Sequence, residues 1–203
     1  MTDNRGHWTR QVPWGLVIAM VLIGVGAWWW IQPDPVAVPK PMGQVRIALP
    51  DTGTTRYTSP CGSSFRMPTY MNVERNQGKD DRGCWYNLFA PRFQSRIHIT
   101  EVPVEDNLSA LLQDAQSMVF GHEIAASGLK QQRLDLPGKS GVLFILEGPV
   151  ATPLQFFMTD STDHFLRGSL YFNHRPNPDS TAPVLERMES DVRFLMETLK
   201  WKP

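Results

Sequence analysis

The run Asp160-Ser161-Thr162-Asp163-His164 sets two hydroxyls, two carboxylates and an imidazole in one short stretch, the groups from which a nucleophilic hydrolase is built. In such an enzyme the base must reach the hydroxyl and be oriented by a third group on its far side, and these partners usually come from separate elements. No G-x-S-x-G elbow is present to expose a serine. Asp and Ser are equally the residues with which a tight turn bonds its own backbone, and the spacing favours that reading. His98, His122, His164 and His174 show neither H-x-x-x-H nor H-E-x-x-H spacing, so neither a metal nor a cofactor is expected. A hydrolase or ligand-binding module around Asp160, Ser161, His98 and His164 remains the alternative, and it requires those groups to converge on one pocket.

Period-two alternation and β-rich runs predict strands at 45–49, 64–67, 84–89 and 96–100. His98 then shares a strand face with Arg96 and Thr100. The period changes after Asp106 or Asn107, either of which suits an N-cap. Leu108, Leu111, Leu112, Ala115, Met118, Val119 and His122 fall on one helical face, and Gly128 ends that region. The continuous apolar run Val142–Leu146 predicts a strand covered on both faces. Strands at 154–158 and 165–172 flank the polar turn Thr159–Asp163. A last helix begins near Ser180 with Pro183 in its first turn and a buried stripe of Val184, Leu185, Met188, Val192, Leu195, Met196 and Leu199. Lys200 and Lys202 suit the negative end of its dipole. The sum is an α+β fold in which a mostly antiparallel sheet packs with two helices.

Of 203 residues, 20 are Lys or Arg and 20 are Asp or Glu, so there is no broad basic footprint and nucleic acid is not an expected partner. The hydrophobic class is 41%, which excludes a disordered chain, and two cysteines exclude zinc ribbons and iron–sulfur clusters.

Trp14 to Ile31 carries no charge and as a helix would reach about 27 Å, the short end of a membrane span. Trp14 edges it on one side and Trp28, Trp29 and Trp30 on the other, as in an aromatic belt. Arg5 and Arg10 precede it, whereas no basic residue follows until Lys40; the positive-inside rule puts residues 1–13 in the cytoplasm as a stub. A cleaved signal peptide, cut near Val25-Gly26-Ala27, competes with the anchor reading but sends the remainder to the same compartment. No ionisable side chain lies in the segment, so it offers no proton path and a motor subunit is excluded. Pro33, Pro35, Pro39 and Pro41 make residues 32–43 a semi-rigid spacer, and a folded domain follows over 44–203. In an oxidising compartment Cys61 and Cys84 should pair, adding about 3 kcal/mol of stability.

From Pro39 to Trp201 the sequence resembles the gliding motility-associated lipoprotein GldD family of Bacteroidetes. The stretches that carry the likeness are PKPMGQVRI, GCWYNL, RIHIT, NLSALLQDAQSM, QFFMTDSTDHFLRGSLYFNHRPNPDSTAP and the ending ETLKW. The resemblance implies a membrane-attached periplasmic protein required for gliding and linked to the type IX secretion apparatus, with other envelope proteins of that machinery as partners and no catalytic residues. It also supports the Cys61–Cys84 pairing. The element order resembles a Mog1/PsbP-like arrangement, an analogy of topology alone. The family is lipidated on a cysteine near the N-terminus, whereas no cysteine precedes Cys61 here; the apolar segment is then expected to be the anchor, at the inner membrane. The likeness is densest around the hairpin, which makes Asp160, His164, Arg167, Asn173, Arg175, Asn177 and Asp179 a candidate docking surface, with Arg167 and Arg175 meeting carboxylates of a partner. The expectation is therefore a non-enzymatic accessory protein, with the periplasmic hydrolase or ligand-binding module as its rival.

Overall fold

A computed structural model describes residues 13–31, 49, 53–75, 83–123, 126–173 and 178–202, with the side chains at 75, 122, 123, 178 and 179 outside the description. Its contacts divide the chain into two units, Met1–Gly43 and Gln44–Pro203.

The first unit holds helix α1 (Trp14–Trp30). Its side chains are exposed on every face, Leu16, Ile18, Leu22 and Ile23 among them. A helix apolar all round has no polar side to turn to water. Nevertheless, among the described residues no helix is long and apolar enough to cross a membrane. The spanning helix expected over Trp14–Ile31 is thus not supported: the helix closes at Trp30, and Ile31 serves as its C-cap by donating its N–H to the Ala27 carbonyl (2.9 Å).

The second unit is α+β. Strands β1 (Thr54–Thr58) and β2 (Ser64–Pro68) form a two-stranded ribbon. A seven-stranded sheet is built from β3 (Asn72–Arg75), β4 (Cys84–Ala90), β5 (Ser95–Pro103), β6 (Gly128–Leu136), β7 (Lys139–Glu147), β8 (Leu154–Thr159) and β9 (His164–Phe172), in the order β3-β4-β5-β9-β8-β7-β6. Every neighbouring pair is antiparallel. Helix α2 (Leu108–Glu123) follows β5 and helix α3 (Pro178–Thr198) follows β9.

Because side chains alternate along a strand, β7, β8 and β9 each feed two cores. The larger core unites Leu88, Ile97, Ile99, Leu143, Ile145, Leu154, Phe156, Met158, Leu166 and Leu170 with Val184, Met188, Val192, Leu195, Met196 and Leu199 of α3 and with Phe65 and Met67 of β2. The smaller one sets Phe144, Leu146, Phe157 and Phe165 against Ala115 and Val119 of α2. The apolar run in β7 is explained by this arrangement: Leu143 and Ile145 serve one core, Phe144 and Leu146 the other. At Gly168 the same close packing excludes a side chain, since a Cβ there would lie 2.3 Å from the Phe156 ring.

Several boundaries differ from the sequence reading. Pro183 lies inside α3 rather than in its first turn, because the helix already begins at Pro178. Gly128 opens β6 instead of ending α2. Met118 is 40% exposed, off the buried stripe of α2. Asn107 occupies the N-cap position, its carbonyl accepting the Leu111 N–H (3.1 Å), but its side chain turns back to accept the Glu105 N–H (3.1 Å). The strand expected at 45–49 lies outside the described residues apart from Leu49, which is exposed and in no element.

The C-terminal end of α3 is capped from the sheet. Lys139 Nζ donates to the carbonyls of Met196 (2.8 Å), Glu197 (2.7 Å) and Leu199 (2.5 Å), placing a cation where the helix dipole is negative. Beyond the helix, Lys200 and Ser64 exchange both backbone hydrogen bonds, 2.7 and 2.8 Å long, so the C-terminal segment is stitched to β2.

Candidate functional site

The 160–164 turn is organised by one carboxylate. Asp160 Oδ1 accepts backbone N–H bonds from Thr162 (3.1 Å), Asp163 (2.9 Å) and His164 (2.9 Å), while Oδ2 lies 2.6 Å from His164 Nδ1. Thr159 Oγ1 completes the frame, donating to the His164 carbonyl (2.7 Å) and accepting the Ser161 N–H (2.9 Å). The chain must fold sharply here, and Ser161 takes a left-handed conformation with φ 71°. Burial works against ionising Asp160, but the bonds from His164, Asp163 and Thr162 outweigh it and bring the carboxyl down to about 2. On its other side the His164 ring stacks on Trp201, centroids 5.1 Å apart and planes 10° apart.

His164 is thus held between a carboxylate and an indole, and among the described residues no serine hydrogen-bonds to its ring. Ser161 sits exposed at the tip of the turn. His98 lies at a distance: it pairs across the ladder with Ser169, whereas His164 pairs with Pro103. The two histidines also project from opposite faces. His164 shares the alternation of Leu166 and Leu170 and rests against Trp201, at the edge of the α3 core. His98 alternates with Ile97 and Ile99 of that core and instead meets Tyr171 edge-on at 5.0 Å. The convergence a hydrolase built on Asp160, Ser161, His98 and His164 would need is absent from the described geometry.

Of the candidate docking residues that are described, Arg167 lies apart from Asp160 and His164. Arg167 is on the α2 side, where its guanidinium binds the Asp114 carboxylate and its Nη1 lies 3.3 Å from Met118 Sδ. Asn173 is exposed beyond β9, its N–H given to the Gln94 carbonyl (2.8 Å). His174, Arg175 and Asn177 lie outside the described residues, as do the side chains of Asp179 and His122.

Beside His164 is a groove of about 320 Å³ lined by Cys61, Gly83, Glu101, Val102, Pro103, Asp163 and His164. Cys61 and Cys84 are joined in a disulfide, Cα atoms 6.0 Å apart, which ties the loop between β1 and β2 to the start of β4. Under it lies a residue that sequence reasoning missed. Glu101 is 2% exposed; its Oε2 accepts from Ser63 Oγ (2.8 Å) and its Oε1 from the Ser63 N–H (3.3 Å). Ser63 Oγ lies in turn 3.1 Å from Ser59 Oγ. Burial, then the Glu101 charge, push the Tyr86 hydroxyl well above the ordinary phenol range. The signal was in the alternation: Ile97, Ile99 and Glu101 point the same way, so a carboxylate on the inward face needed an internal partner. Among the described residues no group of three or more His, Cys, Asp and Glu is placed to hold a metal ion.

Fold and site together define a disulfide-stapled α+β domain that carries a self-bonded polar turn. The family model for the gliding motility lipoprotein GldD matches residues 34–201. The chain belongs to the GldD family, and with it to the accessory proteins of gliding motility. No curated protein and no solved structure matches it, so the Mog1/PsbP-like likeness rests on element order alone.

Proposed function

We propose that this chain is a non-enzymatic accessory protein of the gliding motility and type IX secretion machinery, held at the inner membrane by α1, with its α+β domain in the periplasm docking onto other envelope proteins. The observation that carries the reading is the family match over residues 34–201, which takes in the whole described α+β domain. The dispersed positions of His98, Ser161 and His164 favour a protein that binds rather than one that catalyses.

Membrane attachment is argued from α1. Its side chains are exposed on all faces, so only an apolar surrounding satisfies them. Its 17 residues are shorter than a typical span, and a short apolar helix is accommodated by local thinning of the bilayer with flanking Trp at the interface. Arg5 and Arg10 keep the N-terminus cytoplasmic.

Deletion should abolish spreading and the secretion of type IX cargo, and complementation by a folded His164→Ala variant should restore both. Loss of function from that single change in a stable, normally abundant protein would overturn the non-enzymatic reading. Intact protein should keep its N-terminus and stay with the membrane after carbonate washing; a mature chain beginning at Trp28 would refute the anchor.

A further inference from the structure

The seven-stranded sheet ends in two unlike strands. At one end β3 has four residues; at the other β6 has nine, and among the described residues it pairs with β7 alone. Its register against β7 runs without a bulge from Gly128–Glu147 to Leu136–Lys139, and no proline interrupts it. Pro137-Gly138 is a two-residue turn, so Leu136 and Lys139 beside it turn their backbone groups toward each other. Alternation then directs the N–H and C=O groups of Leu129, Gln131, Arg133 and Asp135 away from β7, where no described strand meets them. A long, straight edge of this kind is a template for one more strand.

The side chains of β6 choose which strand. Leu134 and Leu136 lie half-buried at the margin of the larger core, so the edge still has apolar surface to cover. Lys130 is held by Glu147 of β7 at 2.5 Å. Arg133 and Asp135 have no such neighbour: opposite them on β7 are Val142 and Ser140. They bond to each other along the strand at 3.0 Å, with side chains 75% and 63% exposed.

A second copy laid antiparallel on this edge is related to the first by a two-fold axis normal to the sheet, which keeps each face with its own kind and puts the axis at a residue. Centred on Arg133 or on Asp135, the pairing sets like charges against each other. Centred on Gln132, it sets Leu129 against Asp135 and Lys130 against Leu134. Centred on Leu134, it sets Arg133 of each copy opposite Asp135 of the other, and Leu134 against its own counterpart. Read backwards, Arg133-Leu134-Asp135 is its own complement. Charges that repel a mismatched strand from this edge thus accept a second copy in that register.

We propose that β6 is a self-association edge, through which two copies of this chain pair antiparallel over residues 132–136 with the axis at Leu134. Backbone hydrogen bonds and the covering of Leu134 hold the copies together; exposed ion pairs add little affinity and instead set the register. The edge is three strands away from β9, which carries His164, so it is tested without disturbing the 160–164 turn.

The test is light scattering, with the micelle subtracted, on full-length protein in detergent at tens of micromolar, with melting curves to check folding. Wild type should be dimeric. Arg133→Asp and Asp135→Arg should each raise the dimer dissociation constant at least tenfold. Mixing these two variants should restore a dimer, since every facing pair is then opposite in charge, and the double variant Arg133→Asp/Asp135→Arg should dimerise like wild type. A monomeric wild type overturns the proposal. So do single variants that dimerise as strongly as wild type, which would place the contact elsewhere in the chain, and so does failure of both the mixture and the double variant to recover. If wild type is monomeric and Gln131→Pro abolishes crosslinking to an envelope protein, the edge receives another protein's strand and self-pairing is wrong.

Discussion

The imidazole of His164 lies parallel to the indole of Trp201, 5.1 Å away, while its Nδ1 is 2.6 Å from Asp160. One ring therefore joins the hairpin turn to the segment that follows α3. Removing it in His164→Ala deletes a stacked pair and a charge-assisted bond, at a cost of about 1–2 kcal/mol. The melting temperature should fall by about 3–6 °C, with amide exchange accelerating at residues 160–164 and 200–202. An unchanged melt would mean that the stack contributes nothing to stability.

Acid should expose the role of Asp160. Its folded pKa of about 2 lies below the ordinary 3.8, so its stabilisation is present above that ordinary value and is lost as pH falls through the folded one. Solvent screening holds the contribution to about 1 kcal/mol. Urea midpoints should show wild type above Asp160→Asn at pH 5, with most of that gap gone by pH 2. A gap undiminished at pH 2 would locate the stabilisation elsewhere.

The disulfide closes a loop with a sequence separation of 23. In the chain-entropy model its removal costs about 3 kcal/mol. Cys61→Ser, Cys84→Ser and the double variant should be destabilised alike, because each loses the same single cross-link. Wild-type protein denatured without reductant should show no reactive thiol. Measurable thiol in that assay would contradict the pairing.

Gly168→Ala tests the fit between β9 and β8. The added methyl would meet Phe156 Cε1 at 2.3 Å and Cζ at 2.4 Å, and the ring is 2% exposed with little room to retreat. Overpacking of this kind costs about 1–3 kcal/mol. The double variant Gly168→Ala/Phe156→Leu should recover part of that loss, whereas additive destabilisation would show that the two positions do not compete for space.

How far the sequence could be read depended on whether a residue's environment was local. Period-two alternation at Arg96–Thr100 and the continuous run at Val142–Leu146 both mark strands of the structure, since burial on one face or two writes itself into neighbouring residues. Strand β6 escaped because Lys130, Gln131 and Arg133 are exposed on a sheet edge, where polarity guards against pairing and erases the pattern. Strand β1 escaped likewise, being exposed along most of its length. At the candidate site, the turn-forming character of Asp160 was legible because all its partners lie within four residues. The grouping of Arg167 with His164 was not: three residues apart on a strand, they face opposite ways, and only Asp114 on α2 shows where Arg167 belongs.

The exchange of hydrogen bonds between Ser64 and Lys200 ties three distant parts of the domain to one short segment. Residues 198–201 pair with β2, supply a carbonyl that Lys139 grips and carry the indole against which His164 rests. A change in that segment therefore loosens the ribbon, the end of α3 and the hairpin turn together, so distant surfaces share one fastening.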